Sequence, residues 1–448
     1  MPGRATVPTL DRIRALCDLM GDPQLSAPVI HVTGTNGKGS TVAIVTELLG
    51  AAGLTVGAFT SPDLTVINER ITRNSEPIGD AELIEVLGSL ATLEPMLDGR
   101  PTRFDLLTAA AFRWFADVAV DVAVVEVGLG GRWDATNVVE PVVAVVTNVS
   151  EDHMEVLGPT LIDVAKEKAG IVKSGSLLVL GETDPELSGV FLQAAESVGA
   201  AGVWRRGRTR VEGEFACDAN DVAVGGRLLD LRTPGVRYEQ VLLGLHGAHQ
   251  GDNAACALAA VEGFFASPLD DRLVRTALAS VRVPGRLEIV ARSPLVVLDG
   301  AHNVAGAKAL ALTIAGDFAV AGEKVAVVGL LAGRDPVAML SALASAGVSR
   351  VVLCPAPSPR ALAVADLGVA AGQIGLASDT ADSVGEACEL ATRLAGDDGL
   401  VVVTGSLYVV GEARSIFVAS PPRGDQNHVA SLNGAMGIPE FDGRVPRR

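Results

Sequence analysis

Disulfides, basic stripes and membrane-length apolar runs are all missing from this chain, and each absence removes a class of protein. Its five cysteines (Cys17, Cys217, Cys256, Cys354 and Cys388) are odd in number, scattered, and never in CxxC spacing. Reduced thiols in a cytosol fit that pattern; a disulfide scaffold or zinc site does not. The formal net charge of −17 and the lack of any dense Lys/Arg stripe oppose nucleic acid as a partner. A nucleotide or anionic metabolite stays open, because a few local cations and backbone amides suffice to hold one. No apolar run is long and uninterrupted enough to cross a membrane. The first twenty residues lack the basic, apolar and small-residue order of a secretory signal, so a cytoplasmic location is expected.

What is present is an ordinary soluble composition: 448 residues, 48% hydrophobic and 20% charged. That length exceeds what one core usually serves, so two domains are expected. Short apolar runs ending in small or polar residues ("APVIHV", "VDVAVVEV", "PVVAVVTNV", "SLLVLG") alternate with helical stretches such as "STVAIVTELLGAAG". This alternation predicts an α/β, doubly wound first domain over residues 1–285. From about Val203 to Tyr238 the pattern turns to short polar and apolar alternation, read as a small antiparallel β insertion. After "VRVPGRLEIV" the strand–helix rhythm restarts, predicting a smaller Rossmann-like α/β domain over 286–420. Residues 421–448 are rich in turn formers and are read as a flexible tail.

The stretch "HVTGTNGKGST" at 31–41 places a glycine-rich turn between an apolar strand and an amphipathic helix. It fails the usual phosphate-loop spacing, since only Thr35 and Asn36 separate Gly34 from Gly37-Lys38. The physics still suits phosphate: glycines let successive N–H groups converge on one anion at a helix start. Lys38 adds a point charge, and Ser40 can reach a metal ion carried by the phosphates. A tight turn with an incidental lysine is the bland alternative, which the combination with Ser40 and Thr41 disfavours.

Other residues stand out by position. Glu126 ends a buried strand, at the edge where open α/β sheets bind ligands. His153 follows another strand beside Asp152. In "TLIDVAKEKAGIV", Leu161, Val164 and Ala165 form the apolar stripe and Lys168 falls on the same inward side. An inward lysine can snorkel, pair with a carboxylate such as Glu126 or Asp152, or be modified. Asp299 ends the strand in "PLVVLDGAHN", either as a cap or as a ligand group, with His302 in the following turn.

"GTNGKGS" resembles the phosphate loop of the Mur ligase superfamily, and within it the folylpolyglutamate synthase and dihydrofolate synthase family. "TSPDL", "NERI", "VEVGLGGRWDATN", "DHMEVLG", "EKAGI", "HQGDNAACA", "PGRLE", "DGAHN" and "GSLYVVGEAR" follow in the same order. The resemblance runs from about Val29 to Ile416. It implies a Mur-ligase-like P-loop ATPase domain and an ATP-dependent ligase that joins L-glutamate to dihydropteroate, a reduced folate, or both, through an acyl phosphate.

By the same resemblance, Thr35 to Thr41 (Thr35, Asn36, Gly37, Lys38, Gly39, Ser40, Thr41) bind ATP with Asn253, Arg286 and Asp299. Ser40, Ser61 and Glu126 would hold one Mg²⁺; Glu126, His153 and a carbamylated Lys168 a second. Lys38, Lys168 and His302 would carry the chemistry. His302 and Ser406 would meet the incoming amino acid, and Asp63, Phe104 and Asp134 the folate. A monomer is expected. Three positions depart from the family pattern: Asp63 where His is common, Val304 where Pro is usual, and Gly333-Arg334 where an acidic–Lys pair is usual. They leave two alternatives open, a paralogous ligase acting on another carboxylate and a non-enzymatic ATP-binding protein.

Overall fold

The computed structural model describes residues 9–418 apart from 208 and 210; the segment read as a tail lies outside them. Eleven strands form the first sheet: β1 (Val29–Thr33), β2 (Val56–Phe59), β3 (Ile71–Arg73), β4 (Glu76–Pro77), β5 (Val122–Glu126), β6 (Pro141–Val146), β7 (Leu177–Leu180), β8 (Gly202–Arg206), β9 (Glu214–Ala223), β10 (Gly226–Arg232) and β11 (Arg237–Leu243). Their order is β11-β10-β9-β8-β7-β6-β1-β5-β2-β3-β4. The stretch from β2 through β5, β1, β6, β7 and β8 to β9 is parallel, and both ends are antiparallel.

Alternation along the buried strands assigns the two faces. Ile30, Val32, Val122 and Val124 pack beneath the helices Lys38–Ala51 and His249–Phe265. Val29, Ala123, Val125 and Phe59 face the other way, against helices Asp11–Leu19 and Arg103–Asp117. Each fully buried valine or isoleucine contributes roughly 1.5–3 kcal/mol by leaving water, and strands covered on both faces therefore read as unbroken apolar runs. The antiparallel segment expected as an insertion is continuous with this sheet: β9, β10 and β11 extend its edge, with β9 joined to β8 in parallel.

The second sheet has β12 (Glu288–Arg292), β13 (Leu295–Leu298), β14 (Lys324–Val328), β15 (Arg350–Leu353), β16 (Ala377–Thr380) and β17 (Leu400–Thr404), in the order β12-β13-β17-β14-β15-β16. Only β12 runs antiparallel to its neighbour. Helices Val304–Asp317 and Pro336–Ser345 cover one face, and Val384–Ala395 and Leu407–Phe417 the other. Two contacts between the sheets flank the region between their carboxyl ends. Arg227, from β10, donates at 2.7 Å to Asp317, the last residue of helix Val304–Asp317, with both side chains buried. Leu64 packs into the core around Val409 and Val410. Between these joints the carboxyl ends of β1, β5 and β13 line one cleft. Among the described residues, no helix is long and apolar enough to cross a membrane.

Candidate active site

The loop after β1 is held from below by the loop after β6. The Thr35 amide donates to Asn148 O (2.9 Å) and the Asn36 amide to Asn148 Oδ1 (3.0 Å). Helix Lys38–Ala51 begins at once, and its first main-chain bond runs from the Thr41 amide to Gly37 O (2.9 Å). The amides of residues 37–40 precede that bond, so they are free to meet an anion at the positive end of the helix dipole. Gly37 has φ +84°, which glycine adopts without penalty. Lys38 Nζ rests on Gly34 O (3.1 Å) and Thr35 O (3.2 Å), and burial lowers its pKa. Ser40 is buried and accepts from Gln250 Nε2 at 3.3 Å. Thr41 is wholly buried, away from the cleft wall, and its hydroxyl has no hydrogen-bond partner.

Glu126, at the end of β5, lies behind this loop: its carboxylate is 4% exposed and Oε2 accepts from the Ser61 amide at 3.1 Å. Burial raises its pKa, against the opposing pull of Lys38, the Ser61 amide and Arg286. Lys168 reaches the same cleft from helix Leu161–Ala169, whose start is fixed by Thr160 and Asp163 bonding each other's amides at 3.2 Å. That start sets the rotation that turns Lys168 inward with Val164 and Ala165. The residue is 3% exposed, and its amine has no carboxylate within ion-pair distance among the described residues. Burial, with Lys38 nearby, pulls its pKa from 10.5 to about 7. An ion pair with Glu126 or Asp152 is therefore not how this lysine is accommodated. His153 has φ +52° and stands 3.7 Å from Asp152 and from Glu155; burial lowers its pKa.

The second sheet supplies the opposite wall. Asp299 accepts from the Leu287 and Ala301 amides, both at 3.0 Å, so it caps the turn and still lines the cleft. Arg286 lines it too. His302 Nδ1 donates to Gly300 O at 2.8 Å, which leaves Nε2 as the acceptor of a neutral ring; burial lowers its pKa to about 4. Asn253 is buried below the loop after β1 and donates to Gln250 Oε1 at 2.9 Å. A second cavity of about 270 Å³ opens between Asn253, Asp252, Arg206 and Ala309, sharing Asn36 and Gly37 with the central cleft.

Besides Thr41, four expected residues lie off the cleft wall. Ser406 caps helix Leu407–Phe417, accepting from the Tyr408 amide at 3.2 Å. Asp134 accepts from Thr136 and from the Leu129 amide (2.8 Å), holding the turn after β5. Phe104 packs over Gly128, where a β-carbon would come within 2.5 Å of its Cζ, and is tilted against Phe59. Asp63 is paired with Arg70 at 2.6 Å. Sequence reasoning missed Gln250 and His249 in the cleft wall, and missed the group formed by Asp152, Asn303 and Arg334. The departure noted at Gly333-Arg334 was the one signal that pointed to the last of these.

Comparison with known proteins agrees with this two-sheet arrangement. The Mur ligase middle domain matches residues 32–261, and the Mur ligase, glutamate ligase domain matches 285–407. A dihydrofolate synthase/folylpolyglutamate synthase of Mycobacterium tuberculosis is 40% identical over 92% of this chain and 91% of its own. The chain belongs to the folylpolyglutamate synthase/dihydrofolate synthase family of Mur ligases. The Bacillus subtilis member is 35% identical over 91% of this chain and 94% of its own. A crystal structure of M. tuberculosis folylpolyglutamate synthase, complexed with ADP and AMPPCP, superposes with a TM-score of 0.87, covering 93% of this chain and 96% of that one at 40% identity. Escherichia coli FolC in complex with DHPP and ADP gives 0.82 at 31% identity, over 92% and 94%. The resemblance read from "GTNGKGS" onward is thus borne out, and with it the Mur-ligase fold and the ligase class.

Proposed function

We propose that this chain joins L-glutamate to a folate-type carboxylate, either dihydropteroate or a reduced folate or both, using ATP. The observation that carries the reading is one cleft in which the free amides of residues 37–40 and Lys38 face Arg286, Asp299 and His302. The part up to residue 285 would bind the nucleotide, with phosphates on the loop and the nucleoside in the cavity beside Asn253. The part from 286 would complete the site.

The γ-phosphoryl group passes to the substrate carboxylate, giving an acyl phosphate and ADP. The glutamate amine attacks the acyl carbon, and phosphate leaves as the amide forms. Loop amides, Lys38 and Arg286 stabilise the charge on the transferring group, so the chain contributes mainly positioning and electrostatics. His302, neutral with Nε2 free, accepts a hydrogen bond from the incoming amine. The reading has the enzyme acting as a monomer in the cytoplasm, with the thiols of its five cysteines reduced.

Mg²⁺ fits the donor set. Among the described residues no three or more His, Cys, Asp or Glu side chains are placed to hold a metal ion by themselves. Ser40, Ser61, Glu126 and His153 nevertheless border one cavity, and a hard cation would take its remaining oxygens from phosphates and water. Lys168 suits carbamylation, because an amine of pKa about 7 is partly neutral near neutral pH and so nucleophilic toward CO₂. The carbamate, formed with loss of one proton, would be an anionic oxygen ligand beside Glu126. Bound there, Mg²⁺ would neutralise phosphate charge.

Asp63, which could have signalled a different acceptor, has its charge balanced by Arg70. The test is product mass after incubation with ATP, Mg²⁺ and L-glutamate, with dihydropteroate and tetrahydrofolate offered separately. Addition of one glutamyl residue to either supports the reading and identifies the folate step. Addition to neither, with ATP still bound, points to a ligase for another carboxylate.

A further inference from the structure

Asp152 follows β6 at the carboxyl end of the first sheet, and it is gripped from the second sheet on both oxygens. Oδ1 forms a close ion pair with Arg334, in the loop after β14. Oδ2 accepts from Asn303 Nδ2 at 2.9 Å. The orientation of Asn303 is fixed, because its Oδ1 accepts from the Gly306 amide at 2.8 Å as the cap of helix Val304–Asp317. The same Nδ2 also reaches Asn36 Oδ1 in the phosphate loop, at 3.1 Å. Loops from both sheets therefore converge on one carboxylate, which itself lines the cleft. His153 and His302 are each 3.7 Å away. Arg334, 15% exposed, is a permanently charged guanidinium in closer contact with Asp152 than either histidine.

A bare carboxylate here would repel the polyphosphate that the neighbouring loop is built to receive. We propose that Arg334 is a positioning residue that acts through Asp152: it neutralises that carboxylate and, with Asn303, holds it as a joint between the sheets, so that the cleft admits a nucleoside triphosphate. The proposal rests on the ATP reading above. It differs from a direct phosphate contact by Arg334, because the guanidinium is already committed to Asp152 and does not border the cleft.

The rescue by a second substitution separates the possibilities. Binding of a non-hydrolysable ATP analogue with Mg²⁺ is measured calorimetrically for the full-length wild type, Arg334→Gln, Asp152→Asn and the double variant, with thermal unfolding as the control for folding. Arg334→Gln is expected to weaken binding on the order of tenfold, as for loss of one close compensating charge. Asp152→Asn in that background is expected to restore affinity to within about threefold of wild type, since an asparagine can still accept from Asn303 without a charge to repel phosphate. Unchanged affinity in Arg334→Gln overturns the proposal while leaving the ATP reading intact. A double variant as weak as Arg334→Gln, with unaltered melting, also overturns it and assigns Arg334 a direct contact. A wild type that binds no analogue removes the ATP reading and this proposal together.

Discussion

Asn253 and Gly37 approach so closely that a β-carbon on the glycine would fall inside the contact radius of the Asn253 amide oxygen. This contact ties helix His249–Phe265 to the phosphate loop, and it explains why a short loop keeps its shape. Gly37→Ala meets two costs: a non-glycine residue at φ +84° costs about 1–2 kcal/mol, and Asn253 must move. The expected result is at least a ~10-fold loss of ATP-analogue affinity, with the circular dichroism spectrum nearly unchanged and the melting temperature lowered by no more than a few degrees. Wild-type affinity in this variant would mean that the loop does not bind phosphate in the shape described.

Lys168 couples stability to pH with a definite sign. Its pKa in the folded chain, about 7, lies below the ordinary 10.5. Between those values the unfolded chain holds a proton that the folded chain lacks, so this group's contribution to stability rises with pH across that window. Below it, the penalty of burying the charge is complete. In CO₂-depleted buffer, Lys168→Met is therefore expected to melt a few degrees higher than wild type at about pH 6, the gap closing toward about pH 10. Ligase activity should fall by at least ~100-fold in the same variant. Calorimetry against pH checks the first half, and turnover with and without bicarbonate checks the second.

The limits of the sequence follow from distance along the chain. The glycine-rich loop was legible because strand, glycines and helix start are contiguous over residues 29–41, and the inward side of Lys168 because helical periodicity fixed its face. The sheet edge was less legible: β9, β10 and β11 look like a separate insertion because their antiparallel pattern is local, whereas the parallel join between β8 and β9 spans only two residues. Asp152, Asn303 and Arg334 could not be grouped at all, since 151 and 182 residues separate the first from its partners. Nor could the charge balance of Asp63 be read, although Arg70 is near in sequence, because Asp63 lies in an irregular loop and Arg70 ends a single 3₁₀ turn, Ile67–Arg70, too short for periodicity to orient them.

His302 offers a neutral Nε2 to the cleft, with its other nitrogen fixed on Gly300 O. Burial holds its pKa at about 4, so its ionisation contributes no change in activity between about pH 6 and 8. His302→Ala is expected to raise the KM for glutamate roughly 10- to 100-fold, as for loss of a buried hydrogen-bonding partner, while ATP-analogue affinity stays within about twofold. Steady-state kinetics with each substrate varied in turn separates the two effects. An equal loss for ATP and glutamate would assign His302 to the phosphate side.

The ion pair between Arg227 and Asp317 joins the sheets at a distance from the chemistry. Asp317 is nearly saturated, with one oxygen on Arg227 and the other on the Gly247 amide at 2.9 Å. Its side chain is 3% exposed and that of Arg227 is 7% exposed. Removing one member leaves the other charge buried without compensation, which costs roughly 3–5 kcal/mol, whereas replacing both with apolar residues of similar volume is often neutral. Arg227→Met should therefore melt several degrees lower, and Arg227→Met with Asp317→Leu should recover much of that loss. If the paired replacement regains stability but not turnover, the pair orients one sheet against the other; if both recover together, burial of matched charge is its whole contribution.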